Sequence, residues 1–313
     1  MTTSVLVSLD GTAHDFDAPF LAADDLAAVR GDGVFETLLV RAGRARGVRL
    51  HLDRLVTSSA AIGLPEPDLD AWRAAIDTAV GLWNDGHPNS HDAEGLLRLV
   101  YSRGRESDPG TPTAYLTVAP VPERVKQARD QGVSVLTLER GFSVDLGARA
   151  PWQLLGAKTL SYATNMAALR HAADQGFDDV IFTSSEGLIL EGPRSTVVAV
   201  RGDELITPPT EIGILPGTTA RAVFELAEQE GWRTSTRVLR AADLIAADSV
   251  WMVSSVTLAA RVTALNRYLM PVSDGHKKFI DLVDRAICLI DNQVGQLRRS
   301  PQDDARRWDL CRL

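Results

Sequence analysis

Residues 178–209, "DDVIFTSSEGLILEGPRSTVVAVRGDELITPP", constrain the fold more than any other stretch of this chain. Apolar runs of strand length follow one another here, separated by short turns built on Gly187, Gly192 and Gly202. Such runs predict successive strands that must share a sheet to satisfy their backbone groups. A helix candidate stands on each side. "NMAALRHAADQG" is closed by Gly176, and "GTTARAVFELAEQEG" begins after Pro216 and Gly217. "GVSVLTLER" before them and "SVWMVSSVTLAARVTAL" after them read as further strands.

The first part of the chain has a similar texture. "SVLVSLDG" reads as a strand ending in a tight turn, and "GVFETLLVRAGRARGVRL" as two strands joined around Gly43. Apolar residues at helical spacing run from Leu52 to Ile62 and stop near Gly63, and "LDAWRAAIDTAVGLW" predicts an amphipathic helix. "GLLRLVYSRG" and "TAYLTVAPV" are two more strands. The expected class is α+β in two domains, a smaller one over residues 1–122 and a larger one over residues 123–274. Residues 275–313 are expected to form a C-terminal helix and a flexible tail.

Bulk properties narrow the function. The formal net charge of -8 and the sequence pI of about 5.3 argue against non-specific binding to nucleic acid or an anionic membrane. The two cysteines, Cys288 and Cys311, supply neither a metal-site spacing nor a disulfide framework. The N-terminal residues lack a basic region followed by an apolar run, and no stretch is long and apolar enough to span a bilayer, so the expected location is the cytoplasm.

Lysine usage points to one candidate amine. Of the 33 basic residues only Lys126, Lys158, Lys277 and Lys278 are lysine. Unlike guanidinium, a primary amine can lose its proton and act as a nucleophile. Lys158 in "GAKTLSYATNM" admits two readings: a solvated surface ammonium, or an amine partly buried by Trp152, Leu154, Leu155 and Leu160 and so disposed to Schiff-base chemistry. Glu191 is either a solvated turn residue or a carboxylate held against a cation. Thr218 and Thr219 open a helix, either as a plain cap or as an anion site. Ser254 and Ser255 stand at a strand end. Arg54, Arg103 and Arg105 are arginines suited to phosphate or carboxylate. Nothing near His51 in the sequence supports a catalytic triad, and neither a nucleophile elbow nor a dinucleotide fingerprint is present.

Taken together, "GDGVFET", "HLDRL", "AKTLSY", "LEGPRSTV", "LPGTTA" and "VSSVT" occur in the order of the fold-type IV pyridoxal-phosphate enzymes, which this chain resembles over roughly residues 4 to 270. The resemblance implies a larger C-terminal domain with a β-barrel-like core, a small-molecule substrate and a homodimer. It implies that Lys158 is joined to the cofactor aldehyde and shuttles the proton, and that Glu191 pairs with the pyridine nitrogen. It assigns Arg54, Thr219, Ser255 and the backbone of Thr218 to the cofactor phosphate, and sets Tyr162 near the cofactor's phenolic oxygen. Arg103, with Arg105 beside it, resembles the group that meets the substrate carboxylate. The segments "GDGVFETLLV", "YSRGRES" and "KTLSYATNMAALRHA" look most like aminodeoxychorismate lyases. The alternative is an aminotransferase of D-amino or branched-chain amino acids. Arg105 stands where well-known D-amino-acid members carry histidine.

Overall fold

The computed structural model describes residues 4–88, 93–272 and 275–289. The chain divides into two compact units. Among the described residues, the first comprises 4–88, 93–122, 157–161 and 287–289, and the second comprises 123–156, 162–272 and 275–286.

The first unit is a six-stranded antiparallel sheet with helices. Its elements are β1 (Val5–Ser8), β2 (Ala13–His14), α1 (Leu26–Arg30), β3 (Gly33–Arg41), β4 (Arg44–Ala45), α2 (Val48–Ala61), α3 (Leu69–Asp85), β5 (Gly95–Ser102) and β6 (Thr113–Pro120). The strand order is β2-β1-β6-β5-β3-β4. Helix α3 starts where Asp68 accepts the backbone N–H groups of Asp70 and Ala71. It presents Trp72, Ala75, Ile76, Ala79 and Trp83, a three-and-four spacing, to a core shared with Leu38, Leu97, Leu99 and Leu116. Leu52 and Leu55 of α2 complete that core. Helix α2 begins at residue 48, four residues ahead of the predicted start, and its chain turns away at Gly63, whose φ is 65°.

The second unit holds α4 (Glu123–Gln131), β7 (Val133–Glu139), α5 (Leu146–Arg149), α6 (Ala163–Asp174), β8 (Asp179–Thr183), β9 (Thr196–Arg201), β10 (Glu204–Thr207), α7 (Thr218–Gln229), β11 (Arg233–Thr236), α8 (Ala241–Ile245), β12 (Ser249–Ser254), β13 (Leu258–Leu265) and β14 (Tyr268–Leu269). Its sheet has eight strands in the order β11-β10-β9-β12-β13-β7-β8, with β14 added on β13. Pairing is mixed: β10 with β11, β13 with β7, and β7 with β8 are parallel, and the other pairs are antiparallel. The predicted strand "SVWMVSSVTLAARVTAL" is a hairpin, folded back so that Ser254 pairs with Leu258. Helix α4 lies in "ERVKQARDQ", a polar stretch that periodicity alone did not mark and that buries only Val125.

The fold is α+β. Helix α9 (His276–Leu289) occupies the predicted C-terminal helix. The expected flexible tail, residues 290–313, lies outside the described residues. Among the described residues, no helix is long and apolar enough to cross a membrane.

One segment departs from a linear division of the chain. Residues 157–161 fall within the stretch expected to be the second domain, yet they pack with the first unit. The cause is backbone pairing: Phe35 N–H donates to the Lys158 carbonyl at 3.1 Å, and Leu160 N–H donates to the Gly33 carbonyl at 2.8 Å. A Cβ at Gly33 would meet the Leu160 side chain at 2.7 Å and the Tyr101 carbonyl at 2.8 Å, so this approach requires glycine.

Candidate active site

The predicted site residues are distributed over both units. In the first, β3 carries Glu36 and α2 carries His51, Arg54 and Ser58, whose spacing of three and four puts them on one helical face. Glu36 has no exposed surface. Its Oε1 accepts Arg54 Nε and its Oε2 accepts Arg54 Nη2, each at 2.7 Å, and Oε2 lies 2.6 Å from His51 Nδ1. Burial pushes the Glu36 carboxyl up, but the Arg54 guanidinium and then His51 more than reverse this and hold it at about 2. Burial is also the largest influence on His51 and lowers its pKa, against the opposing pull of Glu36. His51 is therefore neutral near pH 7. An ionised carboxylate only accepts, so His51 Nδ1 carries the proton that faces it.

Lys158 is half-buried. Its backbone N–H donates to Ser58 Oγ at 3.1 Å and its carbonyl accepts Phe35 N–H, so β3 and α2 fix its main chain together. Its Nζ lies 4.4 Å from the centroid of the Phe35 ring, a face that stabilises a cation. The Lys158 charge contributes to keeping His51 neutral, as does that of Arg54. The structure thus gathers Lys158 and Arg54 around Glu36 and His51.

Arg103 and Arg105 lie elsewhere on the first unit. Arg103 Nε and Nη2 donate to Asp32 at 2.7 and 3.3 Å, Nη2 also donates to the Ile62 carbonyl at 2.7 Å, and Nη1 donates to the Gly63 carbonyl at 3.1 Å. Arg105 Nε donates to Asp24 at 2.9 Å. Both line a cavity of about 540 Å³ with Leu64, Pro65 and Glu106.

In the second unit, Glu191 is half-buried and its Oε2 accepts Leu215 N–H at 3.2 Å. Gly217 caps α7 without a side-chain hydrogen bond, so the N-terminal end of that helix offers backbone donors. Thr218 Oγ1 and Ser255 Oγ stand 3.3 Å apart. Thr219 is 3% exposed, and its hydroxyl has no hydrogen-bond partner among the described residues. A Cβ at Gly217 would collide with Thr196 Oγ1. The Tyr162 hydroxyl donates to the Pro193 carbonyl, as does Asn165 Nδ2 at 2.8 Å.

Glu36 lies within "GDGVFET", yet neither it nor His51 has a role that the sequence alone assigns. An acid in the middle of the apolar strand "GVFETLLV" was the available signal, since burial demands a partner for it. Ser58, Phe35 and Asn165 had no local signature.

A sequence profile described as amino-transferase class IV matches residues 33–265, well over half of the chain. The chain belongs to the class IV aminotransferase family. Among class IV relatives, the bifunctional aminodeoxychorismate lyase / D-amino acid transaminase of Mycobacterium tuberculosis is 53% identical over 290 residues, covering 90% of this chain and 99% of that protein. The PLP-bound form of a hypothetical aminotransferase from Mycobacterium tuberculosis superposes with a TM-score of 0.87 at 52% identity, covering 91% of this chain and 98% of that one. A fold IV transaminase from Curtobacterium pusillum gives a TM-score of 0.86 at 38% identity, covering 93% and 100%.

Proposed function

We propose that this class IV enzyme is an aminodeoxychorismate lyase, converting 4-amino-4-deoxychorismate into 4-aminobenzoate and pyruvate, with D-amino-acid transamination as a second activity. The carrying observation is the 53% identity, over nearly its whole length, to a protein named for both reactions. The 38% identity to a fold IV transaminase supports the second activity.

The cofactor is pyridoxal phosphate. When bound, it supplies an electron sink conjugated to the substrate amine. The residues present fit it. The phosphate suits the N-terminal end of α7, where the Thr219 hydroxyl is buried without a partner and the Thr218 and Ser255 hydroxyls converge. The resemblance assigns Arg54, which Glu36 orients, to phosphate binding as well. The Glu191 carboxylate suits a protonated ring nitrogen. Lys158, half-buried and held at its backbone, provides the amine that joins the aldehyde.

In the lyase reaction Lys158 Nζ would take the proton from the amine-bearing ring carbon of the substrate. The electron pair of that C–H bond closes the aromatic ring as the ring–oxygen bond breaks. The departing three-carbon fragment takes a proton on its methylene carbon and leaves as pyruvate. In transamination the same amine moves a proton at the α-carbon. Arg103 and Arg105, each paired with an aspartate, line a cavity and are assigned by the resemblance to substrate carboxylates. The resemblance further implies a homodimer, and a single-chain mass by light scattering would refute it.

The test uses protein loaded with pyridoxal phosphate. Incubation with aminodeoxychorismate, without a keto-acid acceptor, is expected to yield 4-aminobenzoate and pyruvate in equal amounts. Absence of both products overturns the lyase reading. Absence of amino transfer from D-alanine to 2-oxoglutarate overturns the second.

A further inference from the structure

Glu191 is followed by a buried turn. Gly192 N–H donates to the Ser195 carbonyl at 2.8 Å, and a Cβ at Gly192 would collide with the Ser195 hydroxyl and the Met252 methyl group. Glu191 itself is tied into the backbone through its carbonyl, which accepts Phe182 N–H at 2.8 Å. The Pro193 carbonyl lies in the same turn. Two donors from one short stretch meet on it: the Tyr162 hydroxyl and Asn165 Nδ2, the latter at 2.8 Å. Proline has no N–H, so the carbonyl is the only backbone hydrogen-bonding group at that position. Two donors satisfy both of its lone pairs.

Tyr162 is the N-cap residue of α6 and Asn165 lies in its first turn. The Tyr162 side chain makes no cap hydrogen bond to the helix. The polar groups of both residues are directed to Pro193. An Asn in the first turn of a helix contributes little to helix propensity, so the contact to Pro193 is what this side chain supplies.

We propose that Asn165 is a positioning residue: with Tyr162 it locks the Pro193 carbonyl, and so sets the direction in which Glu191 presents its carboxylate to the cofactor's ring nitrogen. The inference rests on the reading, given above, that Glu191 faces that nitrogen. A carboxylate keeps a pyridine nitrogen protonated only while hydrogen-bond geometry is maintained, so freedom in the turn lowers the nitrogen's proton affinity.

The experiment uses the full chain loaded with pyridoxal phosphate carrying 15N in the ring, read by the nitrogen resonance across a pH series. The unaltered protein is expected to hold the nitrogen protonated through pH 8, and Glu191→Gln to give the unprotonated limit. Asn165→Ala is expected to keep the label bound and to lower the nitrogen's titration midpoint by about one pH unit, a tenfold change in proton affinity. Asn165→Asp, which sets a carboxylate against a carbonyl, is expected to lower it further. Tyr162→Phe leaves the Asn165 bond in place and is expected to give a shift in the same direction, so the idea stays testable if an Asn165 variant does not fold. A midpoint in the folded variants equal to that of the unaltered protein overturns the positioning role even if stability falls. An unaltered protein whose nitrogen is insensitive to Glu191→Gln refutes instead the reading on which the inference rests.

Discussion

Glu36 grips both Nε and Nη2 of Arg54 at 2.7 Å, with none of its own side chain exposed and only 10% of that of Arg54. A carboxylate taken wholly out of water is tolerated only because both oxygens are used, one by Arg54 alone and the other by Arg54 and His51. The pair neutralises charge and also fixes the plane of the guanidinium. Glu36→Ala would leave Arg54 without its counter-charge. Expected is a loss of about 3–5 kcal/mol in folding stability, measured by denaturant unfolding of the apo protein. A loss under about 1 kcal/mol would mean that water reaches the pair.

The same cluster sets an acid limit on stability. The pKa of Glu36 falls from its ordinary 4.5 to about 2 on folding, and that of His51 also falls, from its ordinary 6.5. In both cases the unfolded chain binds protons at a pH where the folded chain does not, so stability declines as pH falls. The His51 contribution is fully present above about pH 6.5 and begins to be lost below it. The Glu36 contribution is lost between about pH 4.5 and 2, and amounts to about 3 kcal/mol. Thermal melts of the unaltered protein and of His51→Gln should converge as pH drops from 7 to 5, because the variant lacks the first stage. Parallel curves over that range would refute the neutral state of His51.

Thr219 offers a test of the anion site that does not need turnover. Its buried hydroxyl has no partner among the described residues, so Thr219→Val removes an unsatisfied group at nearly constant volume. The apo protein is expected to melt at the same temperature or higher, while the dissociation constant for pyridoxal phosphate rises about tenfold, equivalent to about 1.4 kcal/mol. Equilibrium dialysis measures the second quantity. Unchanged cofactor affinity would show that the hydroxyl does not meet the phosphate.

Lys158→Ala should leave a folded protein, because the two contacts that hold residue 158 to Ser58 and Phe35 use its backbone rather than its side chain. Cofactor should then associate reversibly, be removed by gel filtration, and support no turnover. Borohydride treatment should attach the cofactor to the unaltered protein and not to the variant, as judged by intact mass. Covalent attachment in the variant would move the nucleophile to another residue.

Much of the candidate site was legible along the chain because its signals are local. A helix opened by Gly217, Thr218 and Thr219 and an acid closing an apolar run at Glu191 are each visible within a dozen residues, and the scarcity of lysine beside arginine is read from a simple count. Amphipathic spacing located α3, while the closing Gly176 and the opening Pro216 and Gly217 marked α6 and α7. Helix α4 escaped because a mostly solvated helix leaves no apolar stripe to read.

The sequence by itself determined most element types, the α+β class and the chemistry available at each candidate position. Tertiary structure alone decided which groups answer one another: Glu36 with Arg54 and His51, Lys158 with Ser58 one hundred residues away, and Tyr162 and Asn165 with Pro193. It also decided that residues 157–161 pack with the first unit, through the Phe35–Lys158 and Gly33–Leu160 backbone bonds. The reason is physical. Periodicity and capping act over a few residues and leave a trace in local composition, whereas the partner of a buried charge or backbone carbonyl depends on strand register and chain return, which no local window contains.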